Sequence, residues 1–215
     1  MAYDVVIFDM DGTLLDTLDD LMDSCNYALS TIGAPPRTRE EIRQFVGNGI
    51  RNLMLQAVPD GEANPKFEQA YETMQTWYKA HNQIKTAPYP GVQQLIRTLR
   101  EQGVPMAVVS NKPDSSVQML VEQWFPEITF GLGEKEGLRR KPERDMVDYA
   151  IAQLGQTGKK AVYVGDSEVD LATAANAGLD CISVTWGFRD RELLVERGAK
   201  QFADTTEELL RLIRA

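Results

Sequence analysis

Four short stretches of the chain are largely apolar: Val5–Phe8, Met106–Val109, Ala161–Val164 and Cys181–Val184. Each is too short for a buried helix and rich in β-branched residues, so each is predicted to be a strand. Strands without a polar face suit a parallel sheet covered by helices on both sides. Helical spacing follows after Gly91, Asp114, Pro142 and Ser167, and again over Thr205–Ile213. This alternation predicts an α/β fold with a doubly wound, Rossmann-like parallel sheet and right-handed crossovers.

One long segment breaks the alternation. Residues 15–85 contain no convincing strand. Leu18, Leu21, Met22, Cys25, Leu29 and Ile32 recur at helical spacing, as do Phe67, Ala70, Tyr71, Met74, Trp77, Tyr78 and His81. Gly33, Pro35 and Pro36 end the first helical stretch, and Pro59–Gly61 interrupt the middle of the segment. The prediction is a discontinuous α/β core, 1–14 and 86–215, carrying an inserted all-helical domain, 15–85. The return passage, KTAPYPG, has two prolines and a glycine and reads as a hinge. His81 lies on the apolar stripe of its helix and reads first as a packed histidine.

The remaining composition narrows the function classes. At 215 residues the chain is long enough for a sizeable core. A net charge of −9 argues against a nucleic-acid surface, although an acidic chain can still hold a local positive pocket. No apolar run is long enough to span a membrane, and no signal peptide is visible. Cys25 and Cys181 belong to no metal-spaced cluster, which favours a reducing, cytoplasmic setting. With one histidine, a poly-histidine metal site is excluded.

The candidate chemistry lies where the predicted strands end. The first ends in Asp9, the second in Ser110–Asn111 with Lys112 next, and the third in Gly165–Asp166–Ser167. In open parallel sheets, ligands bind outside the carboxyl ends of the strands, so these groups should meet at one edge. Asp9 and Asp11 stand two residues apart. Asp11–Gly12 is also a turn signal, so Asp11 has a structural reading beside a chemical one. In the chemical reading Asp9 is a carboxylate nucleophile and Asp11 a general acid/base. Their mutual repulsion would then be relieved by a bound cation and a shared proton. Ser167 and Asp170 fit a capping box, which alone could account for both. Asp166 has no such explanation and sits where a Mg²⁺ ligand opposite Asp9 would stand. Lys141, in an extended segment before Pro142, could neutralise a phosphate and the nucleophile.

Together these residues resemble the haloacid dehalogenase-like hydrolase superfamily, in its phosphatase branch with a small helical C1 cap. Four motifs occur in family order: DMDGT at Asp9–Thr13, SN at Ser110–Asn111, KP at Lys141–Pro142 and GDSEVD at Gly165–Asp170. The resemblance implies Asp9 as nucleophile and Asp11 as acid/base. It implies Mg²⁺ held by the Asp9 carboxylate, the Asp11 backbone carbonyl and Asp166. Ser110, Asn111 and Lys141 would bind the transferring phosphoryl group, aided by backbone N–H groups around Met10–Gly12. Thr13, Ser167 and Asp170 would support the metal site from behind. The segment FVGNGIRNLM is similar to the substrate-facing cap loop of phosphoglycolate phosphatases. That makes Gly47, Asn48, Gly49 and Arg51 candidates for selecting the substrate. Gly47 and Gly49 fit a helix-initiating turn equally well, and Arg51 either contacts a substrate carboxylate or lies on the surface.

The implied activity is Mg²⁺-dependent hydrolysis of a small phosphate monoester through an aspartyl-phosphate, with phosphoglycolate the leading substrate. The partner is a small phosphorylated metabolite; no nucleic acid or membrane is expected, and monomer and homodimer stay open. Pyrophosphatase and 5′-nucleotide phosphatase activities remain alternatives within the same superfamily. A β-phosphoglucomutase-like phosphomutase is more distant. So is a phospho-accepting receiver-like module, which would lack the second acid and the helical insertion.

Overall fold

The structure is a computed structural model and describes residues 2–215. The chain divides into two compact units, Met1–Leu15 with Pro88–Ala215, and Asp16–Ala87.

The first unit is built on six parallel strands: β1 (Val5–Phe8), β2 (Met106–Pro113), β3 (Phe130–Glu134), β4 (Ala161–Gly165), β5 (Asp180–Val184) and β6 (Gln201–Ala203). Their order across the sheet is β3-β2-β1-β4-β5-β6. This is the order of a doubly wound nucleotide-binding sheet, with β1 at the centre and the topological switch beside it. Every residue of β1 is buried because successive side chains enter opposite layers. Val6 and Phe8 pack with Val92, Leu95, Ile96 and Leu99 of the helix Val92–Glu101 and with Leu209 and Ile213 of Thr206–Arg214. Val5 and Ile7 pack with Met146, Val147 and Ala150 of the helix Asp145–Gln153 and with Ala174 of Glu168–Ala177.

The predicted strands are present, and two further ones join them. β3 carries Gly131 and Gly133, which weaken any strand signal. They are there because the helix Asp114–Trp124 lies close. A Cβ on Gly133 would strike the backbone of Asp114, and one on Gly131 would press on Val117 and Val121. β6 is a three-residue edge strand with one fully buried residue, Ala203, too brief for its pattern to register. β2 runs four residues past its apolar part, and its pairing with β3 shifts register between Val109 and Pro113.

The second unit is helical: Leu18–Thr31, Arg39–Phe45, Gly49–Ala57 and Phe67–His81, with a 3₁₀ turn at Gly61–Ala63. Thr38 caps the second helix in a reciprocal capping box with Glu41. The carboxylate of Asp20, 2% exposed, accepts the backbone N–H groups of Ile84, Lys85 and Thr86. His81 stacks on Trp77 with 3.9 Å between ring centroids, and its Nδ1 lies 2.7 Å from the Trp77 carbonyl. It is a packed side chain. A two-stranded sheet pairs Leu15–Asp16 with Ala87–Pro88, where the chain passes from one unit to the other and back. Among the described residues, no helix is long and apolar enough to cross a membrane.

Candidate active site at the carboxyl edge of the sheet

Phe8 pairs with Val108 on one side and Val164 on the other, so the apolar parts of the three central strands end nearly level. Asp9 follows Phe8, with its N–H donated to the Val164 carbonyl at 2.8 Å. The chain then turns sharply. The N–H groups of Thr13, Leu14 and Leu15 all point to the Met10 carbonyl, and Gly12 takes φ +86°. That φ favours glycine, and a Cβ at position 12 would also strike the Asp166 carboxylate. The Gly12 N–H is used within this turn, on the Leu15 carbonyl at 2.9 Å.

Lys141 organises the buried acids. Its Nζ lies 2.6 Å from Asp9 Oδ1, 2.8 Å from Asp170 Oδ1 and 3.0 Å from the Tyr163 hydroxyl. Burial works against its charge, but Asp170 and Asp9 outweigh burial and hold the ammonium well above its ordinary range. Burial, then repulsion from Asp170, pushes the Asp9 carboxyl well up despite Lys141.

Asn111 serves Lys141. Its carboxamide nitrogen donates to the Lys141 carbonyl at 3.0 Å and its oxygen accepts the Lys141 N–H at 2.9 Å. Both ends of the side chain thus meet the Lys141 backbone, which ties the predicted phosphate-binding residue to the lysine. Ser110 is buried, and its Oγ accepts the Lys112 N–H at 3.2 Å. Both residues occupy the register shift of β2, where an irregular strand re-aims its side chains.

Asp166 is held from three directions. Thr13 donates its hydroxyl to Oδ1 at 3.1 Å, Phe188 donates its N–H to Oδ2 at 2.6 Å, and Gly187 packs so close on the third side that a Cβ there would strike the carboxylate. Burial and Asp170 push the Asp166 carboxyl up to about 7, against the pull of the Phe188 N–H, Arg189 and Thr13. Asp170 and Ser167 form the anticipated capping box of the helix Glu168–Ala177. Asp170 does more than cap. Its Oδ2 accepts from the N–H of Asp166 and of Ser167 and from Ser167 Oγ, while Oδ1 meets Lys141.

One carboxylate oxygen each of Asp9, Asp166 and Asp170 lie within 4.8 Å of one another. Asp170 is the most heavily engaged, with Oδ1 on the lysine and Oδ2 taking three donors, so Asp9 and Asp166 are the carboxylates better suited to a cation. An all-oxygen set of this kind suits a hard divalent ion. Two raised carboxyl groups with no room for a Cβ beside one of them fit such an occupant.

Several supporting residues gave no signal in the sequence. Tyr163 reads there as one more apolar strand position, yet its hydroxyl touches Lys141. The Arg189–Glu168 pair, 2.8 Å at its shorter contact, joins the start of the helix Glu168–Ala177 to the loop after β5. Phe188 acts through its backbone, which no side-chain pattern reveals.

The sequence profile described as haloacid dehalogenase-like hydrolase matches residues 6–184. The chain belongs to that family. Within it, a Pseudomonas putida phosphoglycolate phosphatase is 33% identical over 194 residues, covering 86% of this chain and 70% of its own. Phosphoglycolate phosphatase 1 of Pseudomonas aeruginosa is 31% identical, over 96% of this chain and 78% of its own length. The crystal structure of a candidate phosphoglycolate phosphatase from Lactobacillus delbrueckii subsp. bulgaricus superimposes with a TM-score of 0.94 at 40% identity, covering 99% of both chains.

In the helical unit of this hydrolase, Gly47 and Gly49 take φ +123° and +77° on either side of Asn48, and the helix Gly49–Ala57 begins there. This is the helix-initiating turn foreseen as one reading of those residues. Arg51 is engaged within its own unit. It pairs with Glu62 at 2.9 Å and Glu68 at 2.7 Å, and its guanidinium lies 5.1 Å from the rings of Phe67 and Tyr71.

Proposed function

We propose that the protein is a Mg²⁺-dependent phosphoric monoester hydrolase, with phosphoglycolate as its leading substrate, working through an aspartyl-phosphate on Asp9. The observation that carries this reading is the bridge of Lys141 Nζ between Asp9 and Asp170, beside Asp166. The phosphoglycolate phosphatases among its relatives support the substrate class.

In this reading Asp9 attacks phosphorus. Its oxygen gains the P–O bond as the ester bond to the leaving oxygen breaks, and Asp11 gives that oxygen a proton. Water then attacks the aspartyl-phosphate and yields its proton to Asp11. The bond from Asp9 to phosphorus breaks, freeing inorganic phosphate. Lys141 keeps the nucleophile oriented and offsets the charge of the incoming phosphoryl group, with Ser110 as a hydroxyl donor. Asn111 keeps Lys141 in place, and Thr13, Ser167 and Asp170 keep Asp166 and the lysine in place. Asp9, Asp166 and the Asp11 carbonyl would hold Mg²⁺, which supplies charge neutralisation at the phosphoryl oxygens. Residues 15–85 are assigned the part of a cap, with the turn at Gly47–Gly49 selecting the leaving group.

The test is a panel of phosphoglycolate, pyrophosphate, nucleoside monophosphates and sugar phosphates, assayed with Mg²⁺ on the wild type and Asp9→Asn. Phosphoglycolate should give the highest kcat/KM, and the variant should be inactive on all. Substantial Mg²⁺-dependent turnover by Asp9→Asn would remove the nucleophile assignment. A nucleotide or pyrophosphate preference would replace the substrate.

A further inference from the structure

Lys112 is a buried cation that the activity, as described so far, does not use. It follows Ser110–Asn111 in the irregular end of β2. Its side chain is 2% exposed, and its Nζ lies 2.9 Å from Asp11 Oδ1, on a side chain that is 16% exposed. Taking an ammonium out of water is unfavourable, and a hydrophobic residue of similar volume would fill the space without that cost. The two aspartates of the first motif thus have separate lysines: Lys141 meets Asp9, and Lys112 meets Asp11. The turn fixes the backbone of Asp11 but not its side-chain torsions. The ion pair with Lys112 restrains those torsions.

We propose that Lys112 is a positioning residue that holds the Asp11 carboxyl in the orientation from which it exchanges a proton with the leaving-group oxygen. The inference rests on the acid/base role of Asp11 given above. Lys112 itself gains and loses no proton. During formation of the aspartyl-phosphate the proton passes from the Asp11 carboxyl to the departing oxygen, and Lys112 only keeps that carboxyl aimed.

Leaving-group dependence separates aiming from mere packing. The ratio kcat/KM reports events up to the loss of the first product, which is the step in which the leaving oxygen takes its proton. A basic alkoxide needs that proton; 4-nitrophenolate departs without it. The experiment measures kcat/KM for phosphoglycolate, ethyl phosphate, phenyl phosphate and 4-nitrophenyl phosphate with saturating Mg²⁺. Enzymes compared are the wild type, K112M, K112R and D11N, each checked by thermal melting.

K112M should lose about 100-fold on both alkyl esters, the scale of one general acid, and less than about fivefold on 4-nitrophenyl phosphate. K112R, which retains a cation for Asp11, should recover at least tenfold of the loss on the alkyl esters and serves as the readout if K112M does not fold. An unchanged profile, or an equal loss on all four esters, would overturn the proposal. So would a loss that follows the carboxylate of phosphoglycolate and spares ethyl phosphate, since that marks direct contact with substrate. D11N distinguishes the two levels of the argument. If D11N shows no leaving-group dependence, the acid/base reading falls and this inference with it. If D11N shows it and neither lysine variant does, only the role of Lys112 falls.

Discussion

The carboxamide of Asn111 closes two hydrogen bonds on the backbone of Lys141, one at each end of the amide group. The strand β2 and the segment before the helix Asp145–Gln153 are thereby joined at a residue that touches both Asp9 and Asp170. Asn111→Ala releases the Lys141 backbone while leaving its ammonium chemistry intact. A misplacement of about 1 Å can cost about 100-fold in rate, and a loss of that order in kcat is expected. Steady-state kinetics check it; a change confined to KM would mean that Asn111 acts on substrate binding instead.

Removing the lysine itself has a different consequence. Lys141→Met strands Asp9 and Asp170 in a buried site without their cation. Breaking a buried pair from one side typically costs about 3–5 kcal/mol. Denaturant unfolding in the presence of chelator should show a loss of that size, alongside loss of turnover. An unchanged midpoint would contradict the pairing geometry.

The raised carboxyl of Asp166 makes the metal-free protein sensitive to pH. Its value in the fold is about 7, above the ordinary 3.8 of an aspartate. Between these values the folded state binds more protons than the unfolded chain, so this group's contribution to stability is present below about pH 4 and is lost as pH rises through about 7. A cation that neutralises the site should restore it. The rise in melting temperature caused by Mg²⁺ should therefore be larger at pH 8 than at pH 5.5. Thermal melts with Mg²⁺ and with chelator at both values check this, and an equal or reversed effect would refute it.

Gly187 stands where any side chain would meet Asp166 and the Gly12 carbonyl. Gly187→Ala should push the Asp166 carboxylate off its position between Thr13 and Phe188. Disturbing a residue that orients a metal ligand typically costs about 10–100-fold in metal affinity. Titration calorimetry with Mg²⁺ measures that directly, without reference to turnover; unaltered affinity would argue against Asp166 as a ligand.

In the helical unit, Asp20 accepts three consecutive backbone N–H groups, from Ile84, Lys85 and Thr86. Asp20→Ala leaves these donors without their acceptor. Each bond to a charged group is worth about 1.5–3 kcal/mol, and a total loss of at least about 3 kcal/mol is expected by thermal or denaturant unfolding. A loss below about 1 kcal/mol would mean that the return segment finds other partners.

Much was legible in the sequence because period and chemistry are local properties. The all-apolar runs announced a sheet buried on both faces, since a strand covered by two layers of helix needs no polar side. Asp9 and Asp166 were legible because polar residues at the ends of such runs have few structural reasons to be there, whereas Lys141 stood out only as part of the ordered motif set. What stayed hidden involves contacts between residues distant along the chain. β3 was invisible because the close approach of a helix demanded Gly131 and Gly133 in place of branched residues. Asn111 was legible as a polar strand-end residue, but not its two hydrogen bonds to a backbone thirty residues away. Lys112 was visible as a lysine and not as the partner of Asp11, because only the register shift of β2 turns it to that acid. The one-dimensional chain thus determined which polar groups collect and at which edge of the sheet. Tertiary structure decided which lysine serves which aspartate, because hydrogen-bond reach is a matter of a few tenths of an ångström and no sequence pattern encodes it.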